Sequence, residues 1–151
     1  MKTRPLPCLL ALLLLFPAAS LLPAQPKTEA KAPETELHKL MEKNNGAWRK
    51  LRRQAADAAS NAASLELVAA LREGLTKALA LNPAKADDVP AADREKFIAA
   101  YRTRLKEFIA QLDPLEAAFK SNDNAGAQAL IAKLGAMQKD DHKEFRRPEK
   151  E

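Results

Sequence analysis

The stretch Arg94–Phe119, "REKFIAAYRTRLKEFIAQLDPLEAAF", decides the fold. Phe97, Tyr101, Leu105, Phe108, Leu112, Leu115 and Phe119 recur along it at steps of four and three. With 3.6 residues per turn, that spacing places all seven on one face of a helix, a seam to be buried. Pro114 is the one conflict. It follows Asp113, and "DPLE" puts Glu116 three residues after that Asp, a helix-start pattern inside a helix. A kink, or a short break with a restart, is expected at Leu112–Pro114.

Three more seams lie on either side. The first helix runs from about Thr35, as N-cap, to Asp57, with Leu37, Met41, Asn44, Trp48, Leu51 and Ala55 on its seam. The second starts after the cap-like Asn61 and ends near Leu81, carrying Leu65, Val68, Leu71, Leu75 and Leu79. "NPAKADDVP" then breaks the chain. The fourth starts after Asp123 or Asn124 and ends by Arg147, with Ala127, Ile131, Leu134, Gln138, His142 and Phe145. The chain is rich in Ala and Leu, with few β-branched residues and no strand-like alternation. Two of the three connections are short, which favours antiparallel neighbours. The expectation is all-α: an up-down-up-down antiparallel four-helix bundle over residues 35–147, with residues 148–151 as a tail.

The N-terminus reads differently. "MKTRPLPCLLALLLLFPAASLLPA" has a basic start, an apolar run from Leu9 to Phe16 and then small residues, the three-part pattern of a secretory signal. A spanning helix would need about 20 apolar residues, and Pro17 and Pro23 interrupt too early. Residues 1–24 are expected to be a cleaved signal peptide, with cleavage after Ala24 or Ser20. Residues 25–34, polar and Pro-containing, are expected to be a disordered leader. The exported chain would be periplasmic, with no membrane anchor, and a monomer.

Removing residues 1–24 leaves Gln25–Glu151, enough for one core. Lys and Arg together fall from 25 to 23 against 20 acids, a mild excess of mixed sign. With no basic block interleaved with aromatics, nucleic acid is not an expected partner. The single Cys of the chain, Cys8, leaves with the signal. Disulfides, iron–sulfur clusters, thiolate zinc sites and covalent haem attachment are thereby excluded from the exported chain.

Three residues bear on chemistry: His38, Met41 and His142. Met41 shares the seam of Trp48 and Leu51, whereas His38 shares a polar face with Glu42, Asn45 and Arg49. His142 falls on the seam of the fourth helix. If the first and fourth helices are antiparallel neighbours, Met41 lies ~9 Å from one end of the bundle and His142 ~7.5 Å from the same end, at 1.5 Å per residue. Phe97 and Tyr101 begin the third helix there, and Leu75 and Leu79 end the second. A Met and a His facing one another across an apolar, aromatic-lined box suit haem iron. Taken singly, each has a plainer reading. An inward Met is more often core filler, and a His near a helix C-terminus often only favours the dipole.

From about Thr35 to Arg146 the chain resembles cytochrome b562, the soluble exported haem b four-helix bundle. "LHKLMEKNNGAWRKLR" resembles that family's first helix with its ligand Met, at Met41. "DDHKEFR" resembles its C-terminal segment with the ligand His, at His142, and "KFIAAYR" the segment with two haem-packing aromatics, at Phe97 and Tyr101. "NAAS" resembles the start of its second helix. Arg146 matches the family's terminal Arg, whereas Gln138 stands one turn before His142 where an Arg is expected. Lys139 and Arg147 are further candidates for the propionates.

The resemblance implies an exported electron carrier holding one non-covalent haem b, with axial Met41 and His142 and contacts from Phe97, Tyr101, Leu75, Leu79 and Arg146. Its redox partners are unspecified by the sequence. An enzyme finds no support: there is no nucleophile–base pair, no paired carboxylates on a seam and no Gly-rich phosphate loop. Two rivals stay open. Copper, or another metal, held by His38, Met41 and His142 is one, and a haem-free envelope adaptor or chaperone is the other.

Overall fold

A computed structural model describes residues 35–148. The expected signal, the leader and the end of the tail lie outside the described residues. Among the described residues the structure is all-helical, with no strand. The helices are α1 (Glu36–Gln54), α2 (Asn61–Ala78), α3 (Ala91–Ala110), α4 (Leu112–Lys120) and α5 (Asn124–Phe145). Short 3₁₀ turns at Ala58–Ser60 and Ala84–Asp88 interrupt the first two connections. With α3 and α4 taken as one interrupted rod, this is a set of four helices consistent with a four-helix bundle. No helix among the described residues is long and apolar enough to cross a membrane.

The break in the third rod falls at Gln111, next to the expected position. The Gln111 amide donates to both Glu107 O (3.2 Å) and Phe108 O (3.1 Å). Pro114 has no N–H for Ala110 O and sits in the first turn of α4, where none is needed. The seam passes through undisturbed: Leu105, Phe108, Leu112, Leu115 and Phe119 are all buried. Asn122 adopts a left-handed φ of 56° after α4, a conformation Asn tolerates. Asp123 then caps α5, accepting from Gly126 N at 2.8 Å.

Two expectations shift. α1 ends at Gln54, not Asp57, because Asp57 caps the 3₁₀ turn through Ala59 N (3.0 Å). Asn61 is not a cap but the first, buried residue of α2. Its Nδ2 donates to Asn122 Oδ1 (2.9 Å) and Asn124 Oδ1 (3.2 Å). Asn124 Nδ2 in turn donates to Ala55 O (2.8 Å) and Asn61 Oδ1 (2.8 Å). This amide knot joins the end of α1, the start of α2 and the start of α5.

α1 packs mainly on α2. The α2 face against the core is richer in small residues than its Leu stripe suggested: Ser64, Gly74 and Ala78 are buried with Val68, Leu71 and Leu75. A Cβ at Gly74 would collide with the Asn44 side chain, so that glycine is what lets Asn44 of α1 approach α2.

Candidate cofactor site

Thr35 starts α1 by accepting from His38 N at 3.1 Å. The faces then divide. His38 turns to Glu42, with Nε2 3.7 Å from Oε1, on the exposed side. Met41 is half-buried and packs against the apolar core, as does Leu37. Further along the same seam, Asn44 and Trp48 are buried. Trp48 meets Phe108 edge-on, ring centroids 6.2 Å apart. Both carry a buried donor without a partner, Asn44 Nδ2 and Trp48 Nε1.

Phe97 and Tyr101 come together around a residue the sequence reading left out of the site. The Phe145 ring lies 5.3 Å from Phe97 and 5.6 Å from Tyr101. Its place on the α5 seam, three residues after His142, was the available signal. Tyr101 is 5% exposed and its hydroxyl has no partner. Burial pushes its pKa up to about 12, so it stays a neutral donor at any physiological pH. Leu75 is buried and Leu79 half-buried, both packed in the same core.

His142 is exposed, rather than buried with Ile131 and Leu134 as its seam position suggested. Helical phase alone does not decide it: Phe145, eleven residues beyond Leu134, returns to within ~20° of it, and His142, eleven beyond Ile131, does the same. The difference lies in what each meets, since the Phe145 ring packs against Phe97 and Tyr101. The buried place goes to Phe145, and Asp141 beside it is held by Arg104 (Nε to Oδ1, 2.8 Å). Enough protein still surrounds the imidazole to lower its pKa. Desolvation is the main cause, with repulsion from Arg146 adding to it and Asp141 opposing. The ring is therefore biased to the neutral form, the one with a lone pair to give.

His142 lines a groove with Lys85, Lys143, Arg146, Arg147 and Pro148. Arg146 caps α5, its amide donating to His142 O at 3.0 Å. Arg147 is committed elsewhere: it forks onto Asp88 (2.7 and 3.0 Å) and donates to Ala84 O (2.7 Å). That removes it as an obvious partner for a cofactor's carboxylates. Lys139 is exposed.

α1 and α5 meet at the amide knot, through Ala55 and Asn124. Elsewhere their backbones make little close approach.

The model of one family, cytochrome b562, matches residues 36–146, most of the chain and every helix described. The chain belongs to the cytochrome b562 family. No curated protein matches the chain, and no solved structure does. Membership fits the donor set of this chain. A cytochrome b562 takes a flat apolar ring system with iron at its centre and acidic edges. This chain offers a thioether at Met41, an imidazole biased to neutrality at His142, and the aromatic group of Phe97, Tyr101 and Phe145. It adds an unpartnered buried hydroxyl at Tyr101 and cations beside His142. Among the described residues, no three or more His, Cys, Asp or Glu gather as a metal-ion site, and nothing in the comparisons supports copper or a haem-free adaptor.

Proposed function

We propose that this cytochrome b562-family chain is an exported electron carrier that binds one non-covalent haem b, with Met41 and His142 as axial ligands. The observation that carries the reading is the family match over residues 36–146; Met41 and His142 are the residues that the resemblance assigns as ligands. The amide knot supports the pairing. It fixes the end of α1 against the start of α5, as antiparallel neighbours require. The Met41 and His142 ends of those helices are then left at the opposite end of an up-down-up-down bundle.

Bound between the two side chains, haem iron would supply one-electron exchange. With Met41 and His142 both holding the iron, no position would be left for oxygen, which argues for electron transfer over oxygen chemistry. The thioether of Met41 favours ferrous iron and raises the potential relative to two nitrogen ligands. Phe97, Tyr101, Leu75 and Leu79 pack the ring system and exclude water, while Tyr101 and Arg146 are suited to its polar edge. A periplasmic place, a monomeric state and protein redox partners complete the proposal.

The test is ligand replacement in haem-loaded protein. Met41→Ala opens one axial position: the spectrum turns high-spin or water-ligated, carbon monoxide binds readily and the potential falls. His142→Ala costs most of the haem affinity. His38→Ala leaves the low-spin spectrum in place, because His38 is turned to Glu42. With Met41 gone, His38 is a helical step away and can swing in, so the double replacement at 38 and 41 is the control. A low-spin spectrum lost in His38→Ala and kept in Met41→Ala would reverse the assignment on α1.

A further inference from the structure

The link between α2 and α3, read in the sequence only as a breaker, is fastened on three sides by cations reaching carbonyl oxygens. Arg102 donates from Nε to Leu79 O at 3.1 Å, and its Nη2 to Asn82 Oδ1 at 3.1 Å. Arg94 Nε donates to Ala86 O at 3.0 Å. Pro83 and Ala86 are buried beneath. The third side is the end of α5. Lys85 Nζ donates to Glu144 O (2.6 Å) and reaches Lys143 O (3.4 Å). Arg147, just past the helix, grips Asp88 with two nitrogens and Ala84 O with one of them.

The location gives these contacts their meaning. Lys143 and Glu144 stand one and two residues after His142, and α5 ends at Phe145. Last turns fray, because their final carbonyls have no helical partner. Here Lys85 satisfies two of those carbonyls and places a positive charge at the negative end of the helix dipole. Arg147 and Asp88 hold the following strand of chain in a forked, charge-assisted pair.

We propose that Lys85 and Asp88 are positioning residues for His142. They keep the last turn of α5 folded in cofactor-free protein, so that the imidazole, and Phe145 beside Phe97 and Tyr101, are in place before haem arrives. The proposal rests on the haem reading for what is being positioned, but not for the holding itself. A turn folded in only one molecule in ten would bind about tenfold more weakly and load about tenfold more slowly, and the link removes that penalty.

The experiment compares the full chain with Asp88→Asn and Lys85→Met, singly and together. Amide hydrogen exchange is measured first on cofactor-free protein. The expected result is faster exchange at Phe145 and Arg146, with Leu51 and Val68 unchanged. Haem is then added, and the low-spin Soret band should grow about tenfold more slowly in the double variant, while Asp88→Glu restores both readouts. Three results overturn the proposal. One is unchanged exchange at Phe145 and Arg146. Another is a parallel rise at every amide, which would mean a loss of overall stability only. The third is local loosening with unaltered haem uptake. If the unmodified chain takes up no haem, the proposed function fails by that result, and the exchange data still decide whether the link holds the turn.

Discussion

At one end of α1, the side chains of Asn61, Asn122 and Asn124 and the Ala55 carbonyl bond one another in a closed set. Elsewhere among the described residues, three buried donors have no partner: Asn44 Nδ2, Trp48 Nε1 and Tyr101 Oη. Buried donors without partners cost free energy, typically 1–3 kcal/mol each, so they are rare where nothing else occupies the site. The contrast separates two tasks. The knot spends its polar groups on one another and sets how the helices start and stop. The unpartnered donors are kept in reserve beside aromatic rings, Trp48 against Phe108 and Tyr101 against Phe145. Unsatisfied buried groups on an otherwise well-satisfied scaffold are where a binding site is to be sought.

The largest effect expected from breaking this contrast is at the knot. Asn124→Ala leaves Ala55 O and the Asn61 amide short of partners, and should cost about 2–3 kcal/mol of stability, read from the midpoint of denaturant unfolding. The proposed ligands Met41 and His142 take no part in the knot, so the spectrum of any haem-loaded fraction should not change. A loss under about 0.5 kcal/mol, the size of an ordinary surface change, would show that the knot is ornamental and that the apolar seam alone sets the helix ends.

Much of this architecture was legible in the sequence. The seam from Phe97 to Phe119 is buried almost throughout, Thr35 and Asp123 cap their helices, and the interruption beside Pro114 lies within a residue or two of its expected place. These features are local, fixed by periodicity and by the missing proline N–H. What was not legible depends on partners distant in the chain. Asn61 reads as a cap until Asn122 and Asn124 are seen beside it. Gly74 lies off the Leu stripe of α2, and its role shows only when Asn44 is seen against it. The "NPAKADDVP" link reads as a break until Lys85 and Asp88 are seen on the end of α5. The His142 side chain misled because periodicity puts both it and Phe145 on the seam, and the contacts of Phe145 with Phe97 and Tyr101, distant in the chain, decide which is buried.

A middle-sized effect is expected where α1 crosses α2. Gly74→Ala pushes a Cβ into the Asn44 amide, and overpacking of this kind costs about 1–2 kcal/mol. The neighbour can be removed as well. Asn44→Ala takes away the obstruction together with an unpartnered donor, so the double variant should recover most of the loss. A double-mutant cycle measures this coupling directly. Additive costs would mean that Gly74 is needed for some reason other than the approach of Asn44.

The smallest effect is the most informative about the unpartnered donors. Tyr101→Phe deletes a hydroxyl that is buried, un-ionised and without a partner, and leaves the ring that packs on Phe145. In cofactor-free protein no hydrogen bond is lost and a desolvated polar atom is removed, so stability should hold or rise, by up to about 1 kcal/mol. In haem-loaded protein the sign should reverse if Tyr101 Oη finds its partner at the polar edge of the cofactor. The variant would then hold haem more weakly by about fivefold to tenfold, the worth of one hydrogen bond near 1–1.4 kcal/mol. The low-spin spectrum should be intact, because neither axial ligand has been touched. Thermal unfolding and haem transfer to an acceptor globin, measured on the same pair of proteins, read the two signs separately. Destabilisation of the cofactor-free form would mean that the hydroxyl already has an internal partner, such as a buried water, and that the reserve lies with Asn44 and Trp48 alone.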